Sequence, residues 1–246
     1  MLELSHLCGG YGGIAAVSDV SLSFPKGRFT VIVGSNGCGK TTLLKLSCGQ
    51  LRPVGGTVTL GGRVLSSMKG KEIAQKISYL PQSRPIPDTT VETLVLHGRF
   101  PYLGYPRVYQ GNDLRIARQA MEKVGIAAHK NKLASKLSGG ERQKAYLAML
   151  LAQDTEVMLL DEPTTYLDIG CQLDLLELLS ELGRVGKTVI AVLHDLNQAL
   201  RYADNIVVMR GGRVTAEGLP SSVLDALEQA FGVTAKLEER YEFSVK

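Results

Sequence analysis

The feature that most constrains this chain of 246 residues is a glycine-rich stretch, Gly34, Ser35, Asn36, Gly37, Cys38, Gly39, Lys40, Thr41 and Thr42. An apolar run at 29–33 precedes it and a helix-like segment at 43–48 follows it, so we predict a strand, a tight turn and a helix start. The backbone N–H groups of such a turn point inward, and the helix start adds partial positive charge. We therefore expect it to bind phosphate, with Lys40 near the β- and γ-phosphates and the Thr41 hydroxyl on Mg²⁺. The glycines alone would also fit a flexible connection.

The composition is that of a globular protein with room for one sizeable core. Hydrophobic residues make up 44% of the chain and charged residues 21%. The 28 Lys and Arg residues exceed the 24 Asp and Glu residues only slightly, and no block of like charge occurs, so we expect no nucleic-acid partner. Four cysteines without C-x-x-C spacing favour free thiols. No apolar run reaches eighteen residues and no basic segment opens the chain, so we expect neither a membrane span nor a secretory signal.

Alternating strand and helix patterns predict an α/β fold. We expect edge strands at 2–7 and 17–24, hairpins at 57–65 and 206–216, and buried strands at 77–80, 157–160 and 188–193. Helices are expected at 113–124, 139–152, 173–182 and 223–231, while 233–245 has no clear pattern. In the first of these helices, Leu114, Ala117, Met121 and Val124 should share one buried face, with Gly125 as its end.

Two aromatic segments each leave two interpretations open. Tyr11 lies among four glycines, so its ring either stacks on a planar ligand or folds back into the core. Residues 100–106, with the sequence Phe-Pro-Tyr-Leu-Gly-Tyr-Pro, form either an exposed apolar binding surface or a loop packed onto its own domain.

A second helix start is unusual in its first turn. Ser138 and Glu141 fit a capping box, which is a purely structural role. Gly139 and Gly140, however, are poor helix formers that cost about 1 kcal/mol each relative to alanine. They would allow a ligand to approach the backbone N–H groups closely, so this helix start is a second candidate anion site.

Polar residues follow two of the predicted core strands. Asp161 and Glu162 end one strand, and the carboxyl ends of parallel strands are where ligands collect. One acid can serve the Mg²⁺ shell while the other orients water, although a solvated acidic pair is the alternative. His194 ends the next strand and by itself would be an ordinary strand-end histidine. Asp195 and Gln198 are expected to form the capping box of the following helix.

The motifs at 34–42, 137–141 and 157–162, together with Gln82, Asp168 and His194, resemble in their order the ATP-binding cassette (ABC) ATPases. The resemblance covers about the first 230 residues, and Leu-Ser-Gly-Gly-Glu at 137–141 is its most specific part. It implies a P-loop NTPase (RecA-like) core with an N-terminal antiparallel β subdomain and an inserted α-helical subdomain. It also implies one domain over 1–246, in which 1–86 and 155–246 form the catalytic core and 87–154 the helical subdomain.

The resemblance also implies roles for single residues. Tyr11 would stack on adenine, and Gln82 would contact the metal and the attacking water. Asp161 would act through the Mg²⁺ shell, Glu162 as general base, and His194 on the γ-phosphate. The remaining nucleotide-binding residues would be the loop residues 34–42, Gly139 and Asp168, and Ser138 and Gly140 would bind the nucleotide of a second subunit.

Residues 161–169, Asp-Glu-Pro-Thr-Thr-Tyr-Leu-Asp-Ile, look like those of bacterial iron(III)-siderophore importers because of Tyr166. This similarity implies a homodimer with ATP between the two copies, bound to permease subunits on the cytoplasmic face of the membrane. A periplasmic or lipid-anchored substrate-binding protein would deliver the substrate. Haem and vitamin B12 importers, or a soluble cassette outside transport, are the alternatives. In this family 100–106 would lie where the helical lobe meets the permease.

Overall fold

In a computed structural model, which describes residues 1–234, the described residues form two β-sheets and eight α-helices. The strands are β1 (Leu2–Tyr11), β2 (Ile14–Phe24), β3 (Phe29–Gly34), β4 (Gly55–Leu60), β5 (Arg63–Val64), β6 (Ile77–Leu80), β7 (Val157–Asp161), β8 (Thr188–Val192), β9 (Asn205–Arg210) and β10 (Arg213–Gly218). The helices are α1 (Lys40–Ser47), α2 (Gly70–Lys76), α3 (Val91–Leu96), α4 (Gly111–Lys123), α5 (Gly139–Ala152), α6 (Ile169–Arg184), α7 (Leu196–Tyr202) and α8 (Leu224–Phe231). Most of the unassigned segment 233–245 lies outside the described residues.

The larger sheet has the strand order β10-β9-β3-β8-β7-β6. Every pairing from β9 to β6 is parallel, and β10 is antiparallel to β9. Strands β3, β7 and β8 are buried at every residue, which explains their continuous apolar runs. Because these strands are parallel, the loops after β3, β7 and β8 leave the sheet at one edge.

The two faces of this sheet pack against different layers. Val31 and Val33 face a core that includes the helices after β6, whereas Ile32 faces a core shared with α1 and the smaller sheet. This alternation follows from the two-residue period of a strand. The resulting fold has a mixed α/β core with helices on one side and an antiparallel sheet on the other.

The smaller sheet is antiparallel with the order β2-β1-β4-β5. The prediction that the first two strands are both edge strands was wrong for β1, which lies between β2 and β4. Leu2 pairs with Phe24 on one side and with Leu60 on the other. The second partner is far away in the sequence, so the pattern of β1 alone could not reveal it.

A helical segment connects β6 to β7, and within it α3, α4 and α5 pack on one another. Helix α4 ends at Lys123, and Gly125 just beyond it has a left-handed φ of 69°, as expected for the glycine that terminates the helix. The predicted buried face was wrong at Leu114, which is 49% exposed. The helix instead turns Asp113 inward, where its carboxylate accepts a hydrogen bond of 3.0 Å from the buried Arg99.

The cap of α7 differs from the predicted capping box. Asp195 accepts hydrogen bonds from the backbone N–H groups of Asn197 and Gln198, as an N-cap should. The side chain of Gln198, however, donates to Gln172 on α6 at 2.8 Å. Contact with a neighbouring helix therefore replaces the local bond.

The segment 100–106 combines both interpretations that the sequence left open. The Tyr102 hydroxyl donates to the backbone oxygen of Gln153 at 2.9 Å, so part of the segment packs on the end of α5 in the same chain. Phe100 is 46% exposed and Tyr105 is completely exposed.

Within residues 1–234, none of the helices is both long and apolar enough to cross a bilayer. All four cysteines are free thiols.

Candidate functional site

The glycine-rich stretch forms the connection between β3 and α1. Gly34, Gly37 and Gly39 all have positive φ angles, so the turn needs residues without a Cβ atom. A side-chain carbon at Gly39 would also clash with the backbone oxygen of Ala16. The tight turn that the sequence predicted is therefore present, and it leads directly into the first turn of α1.

Lys40 folds back over this loop. Its ammonium group donates to the backbone oxygens of Gly34 at 2.7 Å and Ser35 at 3.0 Å, and the residue is only 6% exposed. The charge is thus held inside the concave side of the turn. Cys38 differs from its neighbours because its side chain is buried in the core beneath the loop.

The loop opens into a cleft of about 600 Å³. Its walls are formed by Ala16, Asn36, Gly37, Gly39, Lys40, Thr41, Thr42, Gln82, Glu162 and His194. Residues from the loop after β3 and from the ends of β6, β7 and β8 thus face the same space. Ala16 was not anticipated, and its sequence context carries no signal, since β2 reaches the loop only through tertiary packing.

Glu162 is held at both carboxylate oxygens. His194 lies 2.6 Å from Oε1 through its Nε2 atom, and the side-chain amide of Gln82 donates to Oε2 at 2.7 Å. Glu162 has a left-handed backbone with φ of 52°, a conformation that costs about 1–3 kcal/mol and is concentrated at functional sites. This geometry points the carboxylate into the cleft beside the phosphate loop.

Asp161 precedes Glu162 and is completely buried. Its Oδ2 atom accepts a hydrogen bond of 3.4 Å from the Tyr79 hydroxyl, whereas Oδ1 is buried without a partner among the described residues. Burial raises the pKa of Asp161, and the hydroxyl of Thr41 opposes this rise. An unpartnered buried carboxylate oxygen beside a threonine hydroxyl fits the oxygen ligands of Mg²⁺.

No cluster of three or more His, Cys, Asp or Glu side chains suited to a metal ion occurs in residues 1–234. A cation at Asp161 would have that carboxylate and the Thr41 hydroxyl as nearby protein ligands. This is the usual situation for Mg²⁺, which keeps several waters and takes oxygen atoms from bound phosphates.

Eight predicted nucleotide-binding residues are absent from the walls of the cleft: Gly34, Ser35 and Cys38 belong to the loop itself, and five others lie elsewhere in the chain. Tyr11 is 51% exposed, so of its two interpretations the buried one is excluded; the Lys45 ammonium lies 5.7 Å from the centre of its ring. Asp168 caps α6 by accepting from the Cys171 N–H at 2.8 Å. The other three, Ser138, Gly139 and Gly140, begin α5.

The start of α5 forms the expected capping box. The Glu141 side chain accepts from the Ser138 N–H at 2.8 Å, and the Ser138 hydroxyl accepts from the Glu141 N–H at 3.3 Å. The Ser138 N–H most strongly, then the Ser138 hydroxyl and the nearby Lys132 ammonium, lower the pKa of Glu141 to about 2. Gly139 and Gly140 face Tyr166 and Leu167 on the loop before α6.

A polar network next to the cleft was not anticipated. The buried Gln143 side chain on α5 donates to the backbone oxygen of Pro163, directly after Glu162. Arg84, two residues after Gln82, donates to Gln143 and stacks on the Tyr146 ring at 4.5 Å. These contacts join α5 to both loops that carry Gln82 and Glu162. A glutamine on the apolar side of an amphipathic helix was the available signal.

Comparison with known proteins identifies the family. The profile described as ABC transporter matches residues 17–165. The ferric enterobactin transport ATP-binding protein of Escherichia coli (strain K12) is 43% identical over 228 residues, which cover 91% of this chain and 84% of that protein. The iron(3+)-hydroxamate import ATP-binding protein of Bacillus subtilis (strain 168) is 42% identical over 241 residues, which cover 96% of this chain and 89% of that protein.

A solved structure agrees with these similarities. The dimeric structure of a bacterial ABC transporter cassette superimposes with a TM-score of 0.79 at 27% identity, covering 89% of this chain and 99% of the other. The sheet order, the loop after β3 and the acidic end of β7 together form the core expected of such a cassette. The chain belongs to the ABC transporter family and is an ATPase of that family.

Proposed function

We propose that this chain hydrolyses ATP with Mg²⁺ to drive the import of iron(III)-siderophore complexes through a membrane permease. The observation that carries the substrate class is the identity above 40% to two ATP-binding proteins, one named for ferric enterobactin transport and one for iron(3+)-hydroxamate import. Each similarity extends over more than nine-tenths of this chain. Tyr166 in the loop after Glu162 agrees with the same subgroup.

The proposed chemistry assigns one task to each group in the cleft. The inward N–H groups of residues 34–42 and the ammonium of Lys40 bind the phosphates. Glu162 accepts the proton of the attacking water, while Gln82 orients that water and His194 contacts the γ-phosphate. Thr41, Asp161 and Gln82 would hold Mg²⁺, which would neutralise charge on the phosphates.

Nucleotide stacking and the second subunit complete the proposal. The exposed ring of Tyr11 is available to stack on adenine. Ser138, Gly139, Gly140 and Asp168 lie outside the cleft of their own chain, as expected if they serve the nucleotide of a second copy. The dimeric cassette with the same fold supports this arrangement.

The membrane partners follow from the importer role. We assign residues 87–154 to a helical subdomain and the remaining residues to the catalytic core. The exposed side chains of Phe100 and Tyr105, called the docking patch below, would contact the permease at the cytoplasmic face of the membrane. A separate binding protein outside the cytoplasm would deliver the chelate to that permease.

The test is an uptake assay in a strain that lacks the gene. We expect loss of uptake for at least one iron(III) siderophore, measured with radiolabelled iron and with catecholate and hydroxamate chelators in parallel. Wild-type protein should restore uptake, and Glu162→Gln should not, since removing a general base lowers turnover by about 10²–10⁴-fold. The purified variant should still bind ATP.

The outcomes separate the parts of this proposal. If uptake of every iron chelate is unchanged while haem or vitamin B12 uptake is lost, the substrate class is wrong but the importer role stands. If Glu162→Gln hydrolyses ATP at the wild-type rate, Glu162 is not the general base.

A further inference from the structure

Tyr79 is the residue whose side chain reaches the buried acid from the neighbouring strand. It lies on β6, which pairs with β7 in parallel register, so that Tyr79 is opposite Leu159 and Leu80 is opposite Leu160. Its hydroxyl lies 3.4 Å from Oδ2 of Asp161. Tyr79 is partly exposed, whereas the other three residues of β6 are buried.

The two carboxylate oxygens of Asp161 are not equivalent. An ionised carboxylate only accepts hydrogen bonds, and a phenol donates one, so the Tyr79 hydroxyl holds Oδ2. Oδ1 has no partner within the described residues although it is buried. The bond from Tyr79 therefore selects which oxygen is left for a ligand.

Thr41 is the other hydroxyl near Asp161, but it cannot orient the carboxylate in the same way. We assign the Thr41 hydroxyl to the cation itself, so in the loaded site it acts as a ligand. Tyr79 then remains as the hydroxyl that contacts Asp161 from outside the cation shell. Residues that hold metal ligands in this manner change metal affinity by about 10–100-fold when they are removed.

We propose that Tyr79 is a positioning residue that turns the Asp161 carboxylate so that Oδ1 faces the divalent cation. This inference rests on the proposed Mg²⁺ role of Asp161. The bond is long for an O–H donor, so we expect an effect near the lower end of that range, about tenfold in cation affinity.

The Tyr79→Phe variant tests this without removing the ring. Tyr79 lines a cavity of about 300 Å³ with Cys48 and Gln153, and phenylalanine keeps the same ring there. The probe is Mn²⁺ binding to the protein with a non-hydrolysable ATP analogue, followed by the electron paramagnetic resonance signal of free Mn²⁺. We expect about tenfold weaker Mn²⁺ binding and unchanged affinity for the analogue in EDTA.

Tyr102→Phe is the matched control, because its hydroxyl donates to the backbone oxygen of Gln153 instead. It should leave Mn²⁺ affinity unchanged. In an Asp161→Asn background, the effect of Tyr79→Phe should disappear, since it acts through that carboxylate. If Tyr79→Phe weakened Mn²⁺ binding as much in the Asp161→Asn background as in the wild-type background, the positioning role would be overturned.

The same measurements separate this inference from the proposed function. If Asp161→Asn weakens Mn²⁺ binding but Tyr79→Phe does not, the role of Tyr79 is wrong and the metal site stands. If Asp161→Asn also leaves Mn²⁺ affinity unchanged, the assignment of the metal to Asp161 is wrong, and the inference fails with it.

Discussion

Asp161 and Glu162 are adjacent in the chain, yet their carboxyl groups have different surroundings. Asp161 ends a strand that is buried on both faces, and it contacts hydroxyl groups. Glu162 leaves the strand in a left-handed conformation and enters the cleft between Gln82 and His194. This single change of backbone direction separates the two acids, as our proposal requires if Asp161 serves a cation and Glu162 serves the attacking water.

The phosphate loop carries a prediction at the scale of a residue. Gly39→Ala combines a left-handed φ of 102° with a clash against the Ala16 backbone oxygen. We expect a loss of unfolding free energy of about 2 kcal/mol or more, together with loss of nucleotide binding. Urea titration and equilibrium binding of a fluorescent ATP analogue measure the two effects.

Gly61→Ala is the control for this prediction. Gly61 is also left-handed, with φ of 57°, but a Cβ atom there would meet no neighbour within 4 Å. This variant should show only the conformational cost of about 1 kcal/mol and bind the analogue normally. If the two variants behave alike, the close approach of the loop to Ala16 has no role in the site.

The scale of the element is best seen where α4 and α5 meet the turn after α3. Arg99 and Asp113 form an ion pair of 3.0 Å with both side chains largely buried. Arg99 also donates to the backbone oxygen of Ala152 at the end of α5. The Arg99 guanidinium therefore connects three elements: the turn after α3, which carries Phe100 of the docking patch, helix α4, and helix α5, which begins after Ser138.

Asp113→Asn should destabilise the protein because it leaves Arg99 buried without its partner charge. We expect a loss of about 3 kcal/mol at neutral pH, measured by urea unfolding. Burial raises the pKa of Asp113, but the Gln110 N–H and Arg99 outweigh it and lower the pKa below its usual value. The ionised pair thus stabilises the fold above the unfolded pKa of about 3.9, and this stabilisation is lost as the pH falls further.

The difference in unfolding free energy between Asp113→Asn and wild type should accordingly become smaller when the pH is lowered below about 4. Glu122→Gln on the same helix is the control, since Glu122 pairs with Arg118 at the exposed surface. It should change stability by no more than about 0.5 kcal/mol. The ion-pair explanation would be contradicted if the unfolding free energies of Asp113→Asn and wild type differed by the same amount at about pH 7 and at about pH 3, below the usual carboxyl pKa.

Whether sequence patterns predict an element depends on how local its interactions are. The hairpins around Gly61 and Gly211 were predicted because their turn residues and flanking strands are adjacent in the chain. The inward face of α4 was mispredicted at Leu114 because Arg99, outside the helix, decides its orientation. The residues that line the cleft were predicted from motifs, except Ala16, which reaches it by packing alone.

At the scale of the whole molecule, the larger sheet separates two hydrophobic cores, one on each of its faces. The cleft lies where the loops after β3, β6, β7 and β8 leave this sheet. The cleft contains the phosphate loop and Glu162, but the start of α5 faces Tyr166 and Leu167 outside it. One chain thus carries two candidate anion sites that do not meet. We propose that a two-fold arrangement of two chains brings each phosphate loop to the Ser138 segment of the other.

Glu162→Gln should form a stable dimer in the presence of ATP, because nucleotide then stays bound between the copies. Adding Ser138→Arg should abolish this dimer by placing bulk and charge at the second anion site. Binding of the fluorescent analogue to the monomer should change by less than about threefold. Light scattering after size-exclusion chromatography measures the dimer.

Ser66→Arg introduces the same side chain at an exposed serine far along the chain from both anion sites, and it should leave the dimer intact. An ATP-dependent dimer that survives Ser138→Arg would contradict the shared site.

By itself, the sequence determined the local chemistry: the phosphate loop, the capping box at Ser138 and the two acids at the end of β7. These features depend on residues within a few positions of one another, where backbone geometry and side-chain type suffice. Only the tertiary structure decided that β1 lies inside its sheet, that Tyr11 is exposed, and that Tyr79 reaches Asp161 from 82 positions away. Such contacts depend on which strands pair and how helices rotate, and that is settled by packing the whole chain at once.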